Sequence, residues 1–266
     1  MPKFSFDPNQ TKWSSNNALA CAMASQLAYS EGGAIDKAVK GWGFAKSVFL
    51  DRRETQGFVA SNANMILISF RGTEPKQLLD WMTDADAIPV DFLGGKVHAG
   101  FLRALNYIWD DVTSAIAALQ TDAQSVWITG HSLGAALATL AVGKFRIELA
   151  KPVNGVYTYG SPRVGDTDFQ MRFNHLCQLT TFRYVNNADV VTRVPTREMG
   201  YRHIGTLLYF DDKGNIQSDI HWWNQFVDSI KGDVEGFLTG KVAALDDHFI
   251  NNYIARCDAN LGKNPF

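Results

Sequence analysis

The sequence of 266 residues contains no long apolar run, no block of like charge and only three cysteines. No stretch reaches 18 apolar residues, so we expect no transmembrane helix. The 25 basic and 27 acidic residues are intermixed, and no basic stripe suggests a nucleic-acid partner. Cys21, Cys177 and Cys257 share no metal-ligand spacing and allow at most one disulfide. These absences predict neither a metal site nor a disulfide-stapled scaffold, and we expect buried free thiols.

The N-terminus, "MPKFSFDPNQTKW", lacks the basic-then-apolar layout of a signal peptide. The segment "ALACAMASQLAY" could imitate the apolar part of one, but Leu19, Met23 and Leu27 are spaced as on an amphipathic helix. We therefore expect no secretory leader, which leaves the cytoplasm or export by a route not visible in the sequence. The chain also lacks internal repeats and low-complexity linkers, so we predict a single domain over residues 1–266.

Apolar periodicity divides the chain into strands and helices. The predicted strands are residues 45–51, 55–61, 64–70, 125–130, 153–160, 180–185 and 206–210. The predicted helices are residues 15–29, 99–119, 133–150 and 166–176, and the C-terminal third is expected to be mostly helical. The alternation of strand and helix predicts an α/β fold with a mostly parallel sheet covered by helices on both faces.

The stretch "WITGHSLGAALATL" places Ser132 between an apolar strand and an alanine-rich helix. In a Gly-x-Ser-x-Gly turn the serine hydroxyl is lifted to the top of the sheet as a nucleophile, and Gly130 and Gly134 occupy the two glycine positions. The alternative is a serine that only caps the helix. The strand before it and the helix after it favour the nucleophile. His131 precedes Ser132 on the tight turn, so we expect its ring to point away and to have a structural role.

A serine nucleophile needs a base, and the base needs an orienting carboxylate. On an α/β-hydrolase sheet the chain order is serine, acid, histidine. Asp189 is the best acid because it follows an apolar strand and two turn-forming asparagines, whereas Asp166 and Asp168 open a helix, where acids are common. The residues alone do not decide which later histidine is the base. The candidates are His175, His203, His221 and His248, of which His248 is favoured.

The chain resembles the class 3 lipases, the fungal Rhizomucor-type family within the α/β-hydrolases. The segments that carry the resemblance occur in the family's order between roughly residues 60 and 255: "LISFRGTEP", "KVHAGFL", "VWITGHSLGAALATL", "YTYGSPRVGD", "RYVNNADVVTRVP" and "DDHFINNYI". The resemblance therefore implies an α/β-hydrolase fold. Secreted fungal members carry several disulfides and a leader, and neither is evident here.

Carried over residue by residue, the resemblance makes Ser132 the nucleophile, Asp189 the acid and His248 the base. Thr73 matches the small hydroxyl residue of the family's oxyanion hole, and Leu133 supplies a second donor through its backbone N–H. This agrees with the general rule that one donor follows the nucleophile and another comes from an earlier loop. The chemistry implies no cofactor and no metal.

The family's lid falls on residues 74–95, "EPKQLLDWMTDADAIPVDFLGG". A short helix there would present an apolar face that opens at a lipid–water interface, although an ordinary surface helix is the alternative. The residues of that face are Leu78, Leu79, Trp81 and Met82. Asp84 resembles the lid carboxylate that supports the oxyanion hydroxyl.

These observations predict a serine ester hydrolase, a triacylglycerol lipase or carboxylesterase that works through an acyl-enzyme on Ser132. A phospholipase A1 or a feruloyl esterase would keep the chemistry and change the substrate. A non-catalytic, lipase-like binding protein is the alternative from another class, and it should lack a member of the triad. All three members are present in the sequence.

Overall fold

A computed structural model describes residues 2–73, 88–121, 124–218 and 245–266 of the chain. The expected apolar lid face and the expected support carboxylate lie outside these residues, and so does one of the histidines considered as a base. They are Leu78, Leu79, Trp81, Met82, Asp84 and His221.

The described residues contain ten strands and six α-helices. The strands are β1 Lys46–Arg52, β2 Thr55–Ser61, β3 Met65–Phe70, β4 Pro89–Phe92, β5 Gly95–His98, β6 Ser125–His131, β7 Gly155–Tyr159, β8 Thr181–Asn186, β9 Thr206–Phe210 and β10 Ile216–Gln217. The helices are α1 Ser15–Leu27, α2 Gly32–Gly41, α3 Ala99–Leu119, α4 Leu133–Ile147, α5 Thr167–Cys177 and α6 Ile250–Ala259. All predicted strands and helices are present, within three residues of their predicted ends.

Within the described chain, eight strands form one sheet in the order β1-β2-β3-β6-β7-β8-β9-β10. The central strands β3, β6, β7, β8 and β9 are parallel, whereas β1, β2 and β10 pair antiparallel at the two sides. The prediction of an α/β fold with a mostly parallel sheet is therefore confirmed. The carboxyl ends of β3, β6, β7 and β8 meet at one edge, which is where loops of an open α/β sheet form sites.

Alternate residues of the central strands enter two separate apolar cores. Ile66 and Ile68 of β3 pack in the core under α3, α4 and α5, while Leu67 between them packs in the core under α1, α2 and α6. Every residue of β3 and β7 is buried, as expected for strands covered on both faces. Burying each large aliphatic side chain contributes about 1.5–3 kcal/mol, so these cores hold the sheet rigid beneath its loops.

Helix α2 and strands β4, β5 and β10 were not predicted from the sequence. Helix α2 is short, and its glycines masked the apolar spacing of Ile35 and Val39, which are both buried. Strands β4 and β5 form a hairpin whose turn residues, Leu93 and Gly94, both have positive φ angles, of 51° and 74°. The last residues of the expected lid segment, 89–95, thus belong to this hairpin.

The three cysteines are free and buried, as expected. None of the helices in the described ranges combines the length and apolarity needed to cross a bilayer. The described residues also contain no group of three or more His, Cys, Asp or Glu side chains arranged to hold a metal ion.

Candidate active site

Ser132 occupies a strained turn between β6 and α4. Its backbone has φ 58° and ψ −128°, a conformation that non-glycine residues rarely adopt and that is typical of functional sites. Ser132 stands at the N-cap position of α4, but its side chain makes no capping hydrogen bond. Its backbone N–H instead donates to the carbonyl of Tyr159 in β7, at 3.0 Å. The interpretation of Ser132 as a helix-capping serine is therefore wrong.

The two glycines of the Gly-x-Ser-x-Gly pattern allow this turn to pack closely. A Cβ atom on Gly130 would overlap the backbone of Gly134. A Cβ atom on Gly134 would in turn overlap the backbone where β3 ends at Phe70. Strand, helix and neighbouring strand therefore approach each other at a distance that no other residue type permits.

Asp189 and His248 form a buried pair at the same edge of the sheet. Asp189 follows β8 and is fully buried, and both of its carboxylate oxygens lie 3.0 Å from Nδ1 of His248. Oδ1 also accepts from the Val191 N–H at 3.0 Å, and Oδ2 accepts from the Tyr253 hydroxyl at 2.5 Å. Burial by itself raises the pKa of Asp189, but the charge of His248 and these hydrogen bonds outweigh it and hold the pKa below its ordinary value. Asp189 is thus an ionised partner for the imidazole.

His248 lies in a short 3-10 turn, Asp246–His248, just before α6. Its side chain is buried, and its Nδ1 is engaged with Asp189. Its other ring nitrogen, Nε2, is buried and makes no hydrogen bond, and the same holds for Oγ of Ser132. A hydroxyl oxygen and an imidazole nitrogen are the kinds of atom between which a serine nucleophile and its histidine base exchange a proton.

Backbone geometry at the ends of β6 and β7 brings the buried pair against the serine turn. Gly160 follows Tyr159, the residue that accepts the Ser132 N–H. A Cβ atom on Gly160 would lie 2.8 Å from Oδ2 of Asp189 and 2.9 Å from Nδ1 of His248. Gly160 has φ 59°, so glycine is required here both for its conformation and for the space.

His131 holds the histidine turn in place. Its Nε2 lies 2.7 Å from the backbone carbonyl of His248, and its Nδ1 lies 2.7 Å from the Tyr29 hydroxyl. Because a carbonyl only accepts, Nε2 carries the proton and Nδ1 accepts from Tyr29. Burial, and then the neighbouring His248, lower the pKa of His131 to about 3, so this ring is neutral near pH 7. His131 is therefore structural, as expected, with a specific contact to the histidine turn that the sequence did not predict.

Asp247, next to His248, joins the histidine turn to the acid loop. Its Oδ2 accepts from the Asn187 side chain at 2.9 Å and from the Ala188 N–H at 3.2 Å. Its backbone carbonyl accepts from the Asn186 side chain at 2.9 Å. The two asparagines in "YVNNADVV" are therefore more than turn formers, because they bind the segment that carries His248.

The expected oxyanion residues lie on both sides of the serine turn. Leu133 is the first residue of α4, so its N–H has no partner within the helix. Thr73 follows Gly72, and a Cβ atom on Gly72 would lie 2.7 Å from the carbonyl of His131 and 3.1 Å from Cβ of Ser132. The segment after β3 therefore runs directly past the serine turn.

The rival residues have other surroundings. Asp166 caps α5 by accepting from the Phe169 N–H at 2.9 Å, which confirms the expectation that it serves a helix terminus. His175 is exposed on α5. His203 is packed beside β9, where its Nε2 contacts the carbonyl of Thr192 at 2.7 Å. Among the described residues, no hydrogen bond joins Asp166, His175 or His203 to Ser132.

Besides the contacts of His131 and Asp247, those of Tyr29, Gly160 and Tyr253 were also missed from the sequence. Tyr253 lies five residues after His248, and its hydroxyl both donates to Asp189 and accepts from the Asn186 N–H at 3.0 Å. No local pattern marks these residues, because each becomes relevant only through a partner far away in the chain.

The sheet order, the strained serine turn and the buried carboxylate–imidazole pair define the class of α/β-hydrolases. The family described as Lipase (class 3) matches residues 67–199, which is half of the chain, and the protein belongs to this family.

Among curated proteins, a triacylglycerol lipase of Arabidopsis thaliana is 33% identical over 253 residues, covering 72% of this chain and 48% of the relative. A lipase of Rhizomucor miehei is 31% identical over 171 residues, covering 60% of this chain and 46% of the relative. The chain thus spans about half the length of these two curated relatives.

Solved structures give the same fold. The native complex of Rhizomucor miehei lipase with its propeptide superposes with a TM-score of 0.56 at 22% identity, covering 74% of this chain and 68% of that chain. A triacylglycerol lipase whose catalytic centre is formed by a serine protease triad superposes with a TM-score of 0.54 at 27% identity, covering 65% of this chain and 68% of that chain.

Proposed function

We propose that the protein is a carboxylic ester hydrolase that cleaves acylglycerols through an acyl-enzyme on Ser132. The observation that carries this proposal is the buried Asp189–His248 pair, which the fold holds against the strained turn of Ser132. A serine hydroxyl is a weak nucleophile, and this constellation of base and orienting acid is what activates it. The alternative of a non-catalytic binding protein has no comparable support, because a binding role requires neither the buried pair nor the strained turn.

The proposed reaction has two halves. In the first, His248 takes the proton of Ser132 Oγ as the oxygen attacks the ester carbonyl. The tetrahedral intermediate collapses as His248 returns that proton to the leaving alkoxide, which departs as an alcohol and leaves the acyl group on Ser132. In the second, His248 takes a proton from water, the resulting hydroxide attacks the acyl-enzyme, and Ser132 leaves with the proton while the carboxylic acid is released.

The charge that develops in each half is matched by groups around Ser132. Leu133 N–H and the N–H and hydroxyl of Thr73 are the proposed donors to the oxyanion, and the positive end of α4 adds to them. Asp189 stabilises the imidazolium that His248 becomes, because its lowered pKa keeps it ionised at neutral pH. Asp84 is the proposed support for the Thr73 hydroxyl on the evidence of the sequence.

Acylglycerols are the proposed substrates because the relative from Arabidopsis thaliana is a triacylglycerol lipase. The sequence adds the apolar positions of the expected lid. A lid of this kind would open at a lipid–water interface.

The two cores on the faces of one sheet support a single domain.

The chemistry is tested by hydrolysis of p-nitrophenyl esters with Ser132→Ala. We expect kcat to fall on the order of 10⁴-fold or more, because removal of the nucleophile leaves only the oxyanion hole and binding. Ser30→Ala, in a turn after α1, is the matched control and should keep wild-type rates. A fluorophosphonate should label Ser132 in the wild type. Equal rates for wild type and Ser132→Ala would reject the proposal.

The substrate is tested separately, by comparing emulsified triacylglycerols with phospholipids and feruloyl esters at matched enzyme concentration. We expect the highest kcat/KM on acylglycerols and a rise in rate as the triacylglycerol concentration passes its solubility limit. A preference for phospholipid or feruloyl ester would retain the mechanism and reassign the substrate class.

A further inference from the structure

A second cavity lies away from the serine turn, between α5, β8, β9 and the loop of residues 197–205. Its volume is about 310 Å³, which is in the range of small-ligand sites. The polar side chains that line it include those of Gln170, Asn174, Gln178, Arg183, Arg197 and His203, together with the hydroxyls of Thr206 and Ser218. No Asp or Glu is among the described residues that line it. The described part of the wall therefore offers two guanidinium groups and several amides, and no carboxylate among its residues neutralises them.

Arg183 is the most unusual residue of this wall. It lies in the middle of β8, is only 6% exposed, and donates from Nε to the carbonyl of Ile204 at 3.2 Å. Its Nη1 atom is buried and makes no hydrogen bond. A buried charged donor without an acceptor is costly in a folded protein, and such a group is expected to have a partner.

The surroundings of Arg183 increase the demand for negative charge. Burial, and after it the charges of Arg163 and Arg197, lower the pKa of Arg183, and burial together with Arg183 lowers the pKa of His203. The guanidinium nevertheless stays protonated near pH 7. An anion in the cavity would offset the repulsion among these cations.

The neutral groups of the wall suit an oxyanion as well. Asn174 accepts the Gly205 N–H through Oδ1 at 2.8 Å, which leaves its amide nitrogen as a donor. His203 must donate from Nε2 to the Thr192 carbonyl, since a carbonyl only accepts. Arg197 is exposed at the rim, where its guanidinium can meet an entering anion.

We propose that this cavity binds a small oxyanion, the phosphate or carboxylate group of a ligand, between Arg183 and Arg197. The site is independent of the hydrolytic chemistry at Ser132. It is connected to the acid loop only indirectly, because Thr192, the partner of His203, also donates through its hydroxyl to the Asp189 carbonyl at 2.8 Å. The test therefore reads binding directly rather than activity.

The experiment measures thermal unfolding by tryptophan fluorescence and binding by calorimetry in the full-length wild type. Inorganic phosphate and acetate are each compared with chloride at equal ionic strength. A ligand that binds only the folded state stabilises it by RT ln(1 + [L]/Kd), so we expect Tm to rise with concentration for phosphate, acetate or both, and not for chloride. A rise with phosphate alone identifies a phosphate site, and a rise with acetate alone identifies a carboxylate site. No rise beyond that of chloride with either anion overturns the proposal.

Three substitutions locate the site. Arg197→Gln at the exposed rim and Arg183→Gln inside should each weaken anion binding at least tenfold. Arg197→Gln keeps the test valid if Arg183→Gln does not fold. Asn174→Asp, which puts a carboxylate in the cavity, should also weaken binding. Arg172→Gln removes an exposed arginine of α5 that does not line the cavity, and it should bind like the wild type. Equal weakening by Arg172→Gln and Arg197→Gln would show nonspecific charge binding and overturn the proposal.

Discussion

Ser132 carries a backbone conformation that costs about 1–3 kcal/mol in a non-glycine residue. The strained conformation persists because β6, α4 and β3 pack closely around the turn at two glycines, which leaves its backbone no room for another conformation. The same close packing extends to Gly160, which lies against the carboxylate and the imidazole on the other side of the turn. At the scale of single residues, the site therefore depends on the positions that must be glycine as much as on the side chains around Ser132.

Gly160→Ala tests that dependence. The new Cβ would lie under 3 Å from Asp189 and His248, in a φ region that alanine avoids. We expect kcat to fall about 100-fold, the effect of a displacement of about 1 Å in a catalytic group. Unfolding in urea should show a loss of about 1–3 kcal/mol. Gly33→Ala, where a Cβ meets no atom within 4 Å, is the control and should preserve kcat. A wild-type kcat in Gly160→Ala would contradict the described geometry.

His131 is expected to act as a positioning residue. His131→Ala leaves the His248 carbonyl and the Tyr29 hydroxyl without their partner, so we expect kcat to fall about tenfold and the stability by about 2 kcal/mol. His131→Gln keeps a donor of similar reach and should recover part of the lost kcat. The measurement is kcat and KM of both variants across pH, where a positioning role lowers kcat and leaves KM nearly unchanged. Identical kcat in the alanine and glutamine variants would argue against this role.

Two short elements, the loop after β8 and the turn before α6, form the site together at the scale of secondary structure. Asp247 binds the side chain of Asn187 and the N–H of Ala188, while Tyr253 of α6 binds Asp189 and the backbone of Asn186. The acid and the histidine are thus placed by a shared network and not by their own loops. Loops become precise in this way when a rigid sheet and helix anchor them.

Asp247→Ala should uncouple the two elements. We expect a stability loss of about 1–3 kcal/mol, since two half-buried donors lose a charged acceptor, together with a fall in kcat. Asp246→Ala, its exposed neighbour in the same turn, is the matched control and should change neither quantity by much. The measurements are urea unfolding and p-nitrophenyl ester hydrolysis. If Asp246→Ala and Asp247→Ala lose the same amount of activity, the network is not what aligns the pair.

The loss of folding stability in acid is a property of the whole molecule, because neutral histidines in different parts of the fold contribute to it. The unfolded chain protonates a histidine near its ordinary pKa of about 6.5, whereas the folded protein keeps His131 neutral down to about 3. The pKa of His203 is lowered in the same direction, by burial and then by Arg183. The unfolded state therefore binds more protons in this window, and the stability is complete above pH 6.5 and is lost as the pH falls below it.

Urea unfolding between pH 7 and pH 4.5 measures this effect. Each such histidine contributes a slope of up to about 1.4 kcal/mol per pH unit below its unfolded pKa. His131→Gln should therefore give a shallower pH dependence than the wild type. His175→Gln changes an exposed residue of α5 and should give the wild-type slope. A wild-type slope in His131→Gln would contradict the buried, neutral state of this ring.

The order of strands and helices could be predicted from the sequence because apolar periodicity and turn chemistry act over a few residues. For the same reason, local sequence patterns predicted the Gly-x-Ser-x-Gly turn and the helix-capping role of Asp166. Local patterns did not predict α2, in which glycines weaken the apolar periodicity. They also did not predict the hairpin β4–β5, because its short strands are half exposed to solvent. The family resemblance, and not spacing, singled out His248 from the other histidines.

By itself the sequence determined which residue types stand at the ends of which strands, since that information lies in contiguous segments. Only the tertiary structure decided which of them meet. Asp189 and His248 are 59 positions apart, and His131 and His248 are 117 apart, so their contacts exist only once the sheet has aligned the carboxyl ends of its strands. Tyr253, Gly160 and Arg183, whose Nη1 makes no hydrogen bond, acquire their importance in the same way, because burial and hydrogen-bond partnership are properties of the folded chain.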